Sequence, residues 1–354
     1  MKISSLFKDK AYVFADDQDS KTQNRFALEV LSAVRPRFDI TSVALLEICD
    51  DYDIFLLRER KRGTLKLKIS LSDPDGTLQS EAVGLRSTTG ACTPHLIDMG
   101  DLKMGEQIKY SLTYVGEGES ARNMGRGPIV SLAPTLFESY FTIVNSRSVK
   151  KKYKQILDLI VAGWDVEKKL PPENLCAFQE YTNYKDAKKF LDTLGKETLA
   201  TFSAWGDLPP LKCHGNISLD SIFCDGANFY FDSLSKISMG HPLVDFVDFI
   251  LDAAVSQRKE RQLLNEFCEQ GKLEKDKGLY DKIYMTILRK KLGELVIGYI
   301  REIYLYDSYR YENIMNIADT FSHLYERFCK IPVFKENRHF IMKTITEPIL
   351  GVKA

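Results

Sequence analysis

Net charge is the first thing this 354-residue chain lacks: 49 Lys and Arg balance 49 Asp and Glu. A protein without a global basic field does not gather nucleic acid or an anionic membrane by long-range attraction. Paired cysteines are missing too. The seven cysteines (Cys49, Cys92, Cys176, Cys213, Cys224, Cys268 and Cys329) are scattered, odd in number and never spaced C-x-x-C. That pattern argues against a disulfide framework and against a zinc site, and it suits a reducing compartment. No apolar run approaches the ~20 residues that a membrane-spanning helix needs. The opening stretch "MKISSLFKDKAYVF" has no extended apolar core and no cleavage pattern, so no signal peptide is expected. Internal repeats and low-complexity tails are also absent. The expectation is a soluble, cytoplasmic protein with neither a nucleic-acid nor a membrane partner. What is present is a globular composition, 44% hydrophobic and 28% charged, with length for two or three structural units.

The N-terminal third reads as mostly β. Residues 21–35 set Ala27, Val30, Leu31 and Val34 at helical spacing before Pro36 ends the run. Strand-like stretches follow at 42–49, 53–60 and 64–70. The last, "TLKLKIS", alternates Leu65, Leu67 and Ile69 with Lys66 and Lys68, so apolar and cationic side chains take opposite faces. Asp73-Pro74-Asp75-Gly76 signals a loop. Residues 77–87 suit a short helix and 108–115 another strand. Composition shifts at "GEGESARNMGRG" (116–127), a Gly-rich connector. Beyond it, helical patterns dominate at 135–162, 184–204, 245–271, 277–305 and 311–329. One hairpin interrupts them, where "IFCDGANFYFD" (222–232) turns on Asp225-Gly226. The reading is an α+β chain, with a β-rich unit over 1–116 and a mainly helical unit over 117–354.

Inside the helical part, "HGNISLDSIF" (214–223) resembles the H-G-D-x-x-x-x-N catalytic loop of the aminoglycoside phosphotransferase and choline kinase families. "FYFDS" resembles the strand that delivers a metal-binding Asp, here Asp232. "GHPLVDF" (240–246) resembles the families' G-D-P-x-x-D-L segment, with Gly240, Pro242 and Asp245 in register. Upstream, "LKLKI" resembles the third strand with its phosphate-binding lysine, placing that role on Lys68. Glu81 falls in the following helix, where the lysine's ion-pair partner sits. "LTYVGEGES" (112–120) resembles the lobe-joining hinge, which implies Thr113, Tyr114 and Val115 beside a nucleotide base. The likeness covers nearly the whole chain, from about residue 20 to about residue 330. It implies a two-lobed protein-kinase-like fold, with a small antiparallel β lobe of about five strands, a larger helical lobe and a catalytic loop within 212–232. It also implies ATP and Mg2+ as cofactors.

In such an enzyme an Asp orients the attacking hydroxyl and accepts its proton. An Asn five residues on and the strand Asp hold magnesium, while a glutamate-braced lysine grips the phosphates. Four features depart from that pattern. Asn216 stands for the Asp, with the same shape but neither basicity nor charge; a missing general base costs on the order of 10²–10⁴ in rate. Ser221 stands for the metal-binding Asn, and a lone hydroxyl is a shorter, poorer ligand. Neighbouring Asp220 is anionic, but adjacent residues on an extended segment point different ways. The turn between the first two strands, Cys49 to Asp53, has no glycine and three carboxylates, Asp50, Asp51 and Asp53. A phosphate-cradling loop wants closely approaching backbone amides there. Lys66 puts a bulky charge where a small apolar side chain roofs the adenine. His214 reads as a brace for the loop, and Asp245 as a cap for the next helix that also steadies the loop.

Plainer readings stand beside these. Lys68 and Glu81 also suit a surface strand lysine and a helix carboxylate, and Asp232 suits a strand end. "RERKRG" (58–63) reads first as a solvated hairpin tip, and Arg122 and Arg126 as solvated connector residues. Tyr299, Tyr304, Tyr306, Tyr309 and Tyr311 fit core packing first and a binding surface second. Two functions compete. The first is a pseudokinase: a scaffold that binds a protein or peptide partner in a larger assembly, with ATP and Mg2+ held weakly or not at all. The second is an active ATP-dependent phosphotransferase of a small hydroxylated molecule with a rearranged site. Departures that strike base, metal, phosphate and adenine together favour the first.

Overall fold

The computed structural model describes residues 28–48, 53–70, 78, 96–104, 106–114, 119–145, 184–202, 211–215, 217–219, 221–225, 228–231, 237–304 and 311–350. They divide into two units. One holds the described residues through Asn145 together with Ile217 to Ile237; the other holds Tyr184 to Gly215 and Ser238 to Leu350.

The first unit begins with helix α1 (28–34). Five strands follow: β1 (Ile40–Ile48), β2 (Asp53–Glu59), β3 (Gly63–Ser70), β4 (Leu96–Met104) and β5 (Glu106–Tyr114). All pair antiparallel in the order β1-β2-β3-β5-β4. The alternation in β3 explains the register. Leu65, Leu67 and Ile69 pack with Phe55, Leu57, Tyr110 and Leu112 against Val30, Leu31 and Val34 of α1. Burying each such side chain contributes roughly 1.5–3 kcal/mol. A one-residue slip would turn the whole set to the other face.

About five strands were expected, but none was placed at 96–104, where β4 lies. Its sequence, "LIDMGDLKM", alternates poorly and carries a glycine and two acids. Cross-strand pairs with β5 hold it instead. Asp101 sits opposite Lys109 and bonds it at 2.6 Å, and the Tyr110 hydroxyl donates to Asp98 at 2.5 Å. The Arg37 guanidinium also donates to Tyr110, at 2.8 Å. Burial, with Asp98 adding to it, pushes the Tyr110 phenol up to about 12.

The described part of the Gly-rich connector holds regular structure. It contains β6 (Glu119–Ser120) and two short helices, α2 (Ala121–Met124) and α3 (Arg126–Ser131). Gly125, at φ +84°, makes the joint between them, where a side chain is rarely tolerated. Helix α4 (Ala133–Asn145) comes next. The expected hairpin is present as β8 (Ile222–Asp225) and β9 (Asn228–Phe231), extended by β6 into a three-stranded sheet. Tyr140 of α4 meets Phe231 of β9 edge-on, with ring centroids 6.4 Å apart.

Among its described residues, the second unit pairs β7 (Leu211–Cys213) with β10 (Ser238–Gly240) and adds six helices. These are α5 (Tyr184–Phe202), α6 (Leu243–Asp252), α7 (Gln257–Gly271), α8 (Lys277–Tyr304), α9 (Tyr311–Phe328) and α10 (Pro332–Leu350). A single helix over 245–271 was expected, but the chain breaks between α6 and α7. Ala254 takes φ +46°, and Ser256 starts α7 by accepting the Lys259 N–H. The break is bolted from α9: Arg327 donates to the Val255 carbonyl, to Glu260 at 2.8 Å and to the Tyr284 hydroxyl at 2.7 Å. Helix α10 was not expected either. Its Val333, Phe334 and Ile341 are buried, and the Phe334 ring meets Phe321 and Phe328 of α9. Among the described residues, no helix is long and apolar enough to cross a membrane.

Candidate functional site

The two lysines of β3 share a face, but burial separates them. Lys68 is 3% exposed, whereas Lys66 is only partly covered. Lys68 lies in register between Ile54 of β2 and Ser111 of β5, and Lys66 between Leu56 and Thr113. Their face is opposite the one that packs on α1. It carries Lys68, Ser70, Ser111 and Thr113, all buried and all polar. The Thr113 hydroxyl donates to the Lys66 carbonyl at 3.4 Å, and Tyr114 pairs with Leu65 at the end of β5. Val115 and Glu81 lie outside the described residues.

Asp53, one of the three acids in the turn where a phosphate-cradling loop wants backbone amides, does not share the lysine face. It pairs with Ile69, and strand alternation sets it with Phe55 and Leu57 on the α1 side. Partial burial there raises its carboxyl above the usual range. Asp50 and Asp51 lie outside the described residues.

The loop resembling a catalytic loop begins where β7 ends. The His214 side chain is wholly buried. Its main-chain N–H donates to Asp245 Oδ2 at 2.6 Å, and the next N–H, from Gly215, donates to Asp245 Oδ1 at 2.8 Å. Consecutive amides converge on one anion only when the backbone curls between them, and Gly215 at φ +79° supplies that curl. This explains why the pair is His-Gly and not His followed by a bulkier residue.

Asp245 therefore steadies the loop, as expected, but it does not cap α6. Pro242 occupies the N-cap position with no side-chain cap bond. His241 serves that end instead, its Nδ1 accepting the Leu243 N–H at 3.3 Å. Burial pushes the imidazole down to about 4, so it stays a neutral acceptor.

Every residue of α6 is buried, including Asp245, Asp248 and Asp252. Helix α8 answers the last two. Lys290 Nζ lies 3.2 Å from Asp248, and Lys291 Nζ 3.0 Å from Asp252. Desolvation opposes charge on both lysines, but the surrounding carboxylates outweigh it and hold both pKa values above the ordinary one.

The second half of the loop closes on itself. Ile217 and Leu219 are buried anchors. Between them and β8, the Ser221 hydroxyl accepts the Ser218 N–H and donates to the Ser218 carbonyl, both at 2.9 Å. The Ser221 N–H donates back to Ser218 Oγ at 3.2 Å. The Leu219 carbonyl accepts from the Arg122 N–H at 3.2 Å and from the Ser120 hydroxyl at 3.3 Å. Asn216, Asp220 and Asp232 lie outside the described residues. Among the described residues, no group of three His, Cys, Asp or Glu side chains is placed to hold a metal.

No protein-family model matches the sequence, and no curated protein matches it significantly. Solved structures do match. Choline kinase LicA from Streptococcus pneumoniae superposes with a TM-score of 0.56 at 12% identity, covering 85% of this chain and 99% of its own. The chain carries the choline kinase and aminoglycoside phosphotransferase fold. A second match is a thermostable mutant of aminoglycoside phosphotransferase APH(4)-Ia, in ternary complex with AMP-PNP and hygromycin B. It gives 0.52 at 10% identity, over 84% of this chain and 96% of that one. Spectinomycin phosphotransferase APH(9)-Ia, in complex with ADP and spectinomycin, gives 0.53 at 10% identity over 83% and 94%. At such identities the likeness is one of fold.

Within that kinase-like fold, several residues that serve α6 escaped the sequence reading. His241, Lys290 and Lys291 are among them. The signal for the lysines was present: "LVDFVDFILD" sets acids at 245, 248 and 252 along one stripe of an otherwise apolar helix. Buried acids require buried cations, and the adjacent lysines of "LRKKLGEL" are their match. Of the five tyrosines, Tyr299 is fully buried in α8 and packs in the core. The side chains of the other four lie outside the described residues.

Proposed function

We propose that this chain is a kinase-fold protein that has lost phosphoryl transfer and acts as a scaffold for a protein or peptide partner in a larger assembly. One observation carries the reading. Ser221, at the magnesium-ligand position of the resemblance, spends its hydroxyl on a turn with Ser218 and is only 8% exposed. Asn216, five residues earlier in the sequence, stands where the resemblance puts the proton-accepting Asp. The cofactors therefore fit unequally. Buried Lys68 suits a phosphate, whereas Ser221 does not suit magnesium, and no step through the metal is derived. Cysteines left as thiols, such as Cys268 and Cys329, fit a reducing cytoplasm.

A second reading has its own support. Lys68 is buried on the face away from α1, and the Asp245 clamp on His214 and Gly215 is complete. An active phosphotransferase of a small hydroxylated molecule would need both. Titration calorimetry and thermal shift with ATP and Mg2+ separate the two. The scaffold reading expects no metal-dependent heat and no shift. Micromolar Mg2+-dependent binding, with transfer to a hydroxylated acceptor that Asp232→Ala abolishes, would overturn it.

A further inference from the structure

Two buried carboxylates share one stripe of α6. Asp245 is 1% exposed and Asp248 5% exposed. A spacing of three puts their Cβ atoms about 5–6 Å apart on one helix face. Negative charges that close and that far from water repel each other unless a cation intervenes. Lys290 is that cation. Its ammonium lies 3.2 Å and 3.4 Å from the two Asp248 oxygens and 3.9 Å from Glu294. Asp245 is near enough to add to the charge stabilising Lys290, although burial is the largest influence and opposes it. The neighbouring pair offers a matched contrast. Lys291 bonds Asp252 at 3.0 Å with similar burial, but Asp252 lies two helical turns beyond Asp245, and Asp248 stabilises the Lys291 charge less than Asp252 and Glu294 do.

We propose that Lys290 is a positioning residue for the His214–Gly215 bend, compensating Asp248 so that Asp245 can offer both oxygens to the two main-chain N–H groups. The pair is one link in a line running from α8 through α6 to the loop that carries Asn216. This inference does not rest on the proposed loss of catalysis, because the bend is held in the same way whether or not phosphoryl transfer survives.

Amide hydrogen exchange at residues 214 and 215, referenced to core amides of α8 such as Leu288 and Leu292, tests it on the full chain. Lys290→Met should speed exchange at 214 and 215 by about tenfold or more beyond any change in α8, the loss of one charge-assisted bond. Lys290→Arg should restore protection. Lys291→Met should alter α8 without singling out the bend. The double variant Lys290→Met with Asp248→Asn should regain protection, because a neutral amide no longer repels Asp245. If Lys290→Met does not fold, Lys290→Gln and the double variant take its place. Equal loosening of the bend by the Lys290 and Lys291 variants would overturn the proposal. So would a double variant as loose as the single one.

Discussion

Residues 214–215 and 218–221 belong to one loop, yet opposite strategies hold them. The first pair hangs from Asp245, 31 and 30 positions along the chain, through two main-chain bonds to a buried anion. The second closes locally, through side chains three positions apart. A bend held by a distant carboxylate keeps its shape only while the helix carrying that carboxylate stays in place. A turn closed by its own serines commits their hydroxyls to the backbone, and its remote ties, from Ser120 and Arg122, go to the Leu219 carbonyl instead. The half clamped by Asp245 is thus tied to the buried helix that carries the carboxylate. The half around Ser221 spends its own hydroxyls within the turn.

The largest expected effect tests the first half. Asp245→Ala should cost about 3 kcal/mol or more, because two buried N–H groups lose a charged acceptor at once; urea unfolding measures it. A cost under about 1 kcal/mol would mean that water replaces the carboxylate and that the two halves are alike.

Acid should weaken the same end of α6. The unfolded chain protonates His241 near pH 6.5, whereas the folded chain resists until about pH 4. This group's penalty is therefore absent above pH 6.5, grows as pH falls toward 4 and levels off below. Its full size is roughly 3 kcal/mol. Melting temperature followed from pH 8 to pH 4 should show the decline, and His241→Gln should flatten it. An unchanged slope in that variant would assign the acid sensitivity elsewhere.

Gly215→Ala comes next, at about 1–2 kcal/mol for forcing a side chain into the left-handed region. It should also loosen the clamp, visible as faster exchange of the His214 amide. Retained stability and protection would show that the curl is not the reason for glycine.

The smallest effect belongs to the self-closed half. Ser221→Ala should cost about 1 kcal/mol, the net worth of a partly buried hydrogen bond, and should leave the exchange of amides 214 and 215 unchanged. Asn216→Asp combined with Ser221→Asn should lose the same turn without gaining ATP turnover in a coupled assay. Recovered turnover would erase the contrast between the halves and favour the active-enzyme reading.

Much of this architecture was legible in residue order alone. Period-two alternation in "TLKLKIS" marked β3 and set Lys66 and Lys68 opposite the core, because strand side chains alternate whatever surrounds them. The hairpin of β8 and β9 was legible from its turn residues, and the long helices from their apolar spacing. Resemblance in the His214–Asp245 block pointed to the kinase-like fold. Contacts between distant segments decided the rest. Strand β4 is held by Asp98 and Asp101 meeting Tyr110 and Lys109 and by Leu102 buried in the core, not by an alternation its own residues display. The break between α6 and α7 exists because Arg327 takes the Val255 carbonyl from more than seventy positions away. The Lys66–Lys68 spacing set which face each lysine takes, but only packing made Lys68 the buried one. Likewise "HGN" and "VDF" named their residues, yet only the folded chain joined both Asp245 oxygens to two successive amides. Hydrophobic periodicity is a local property that a sequence displays directly. Satisfying a buried charge is a property of whatever packs beside it, and that is settled only when the segments meet.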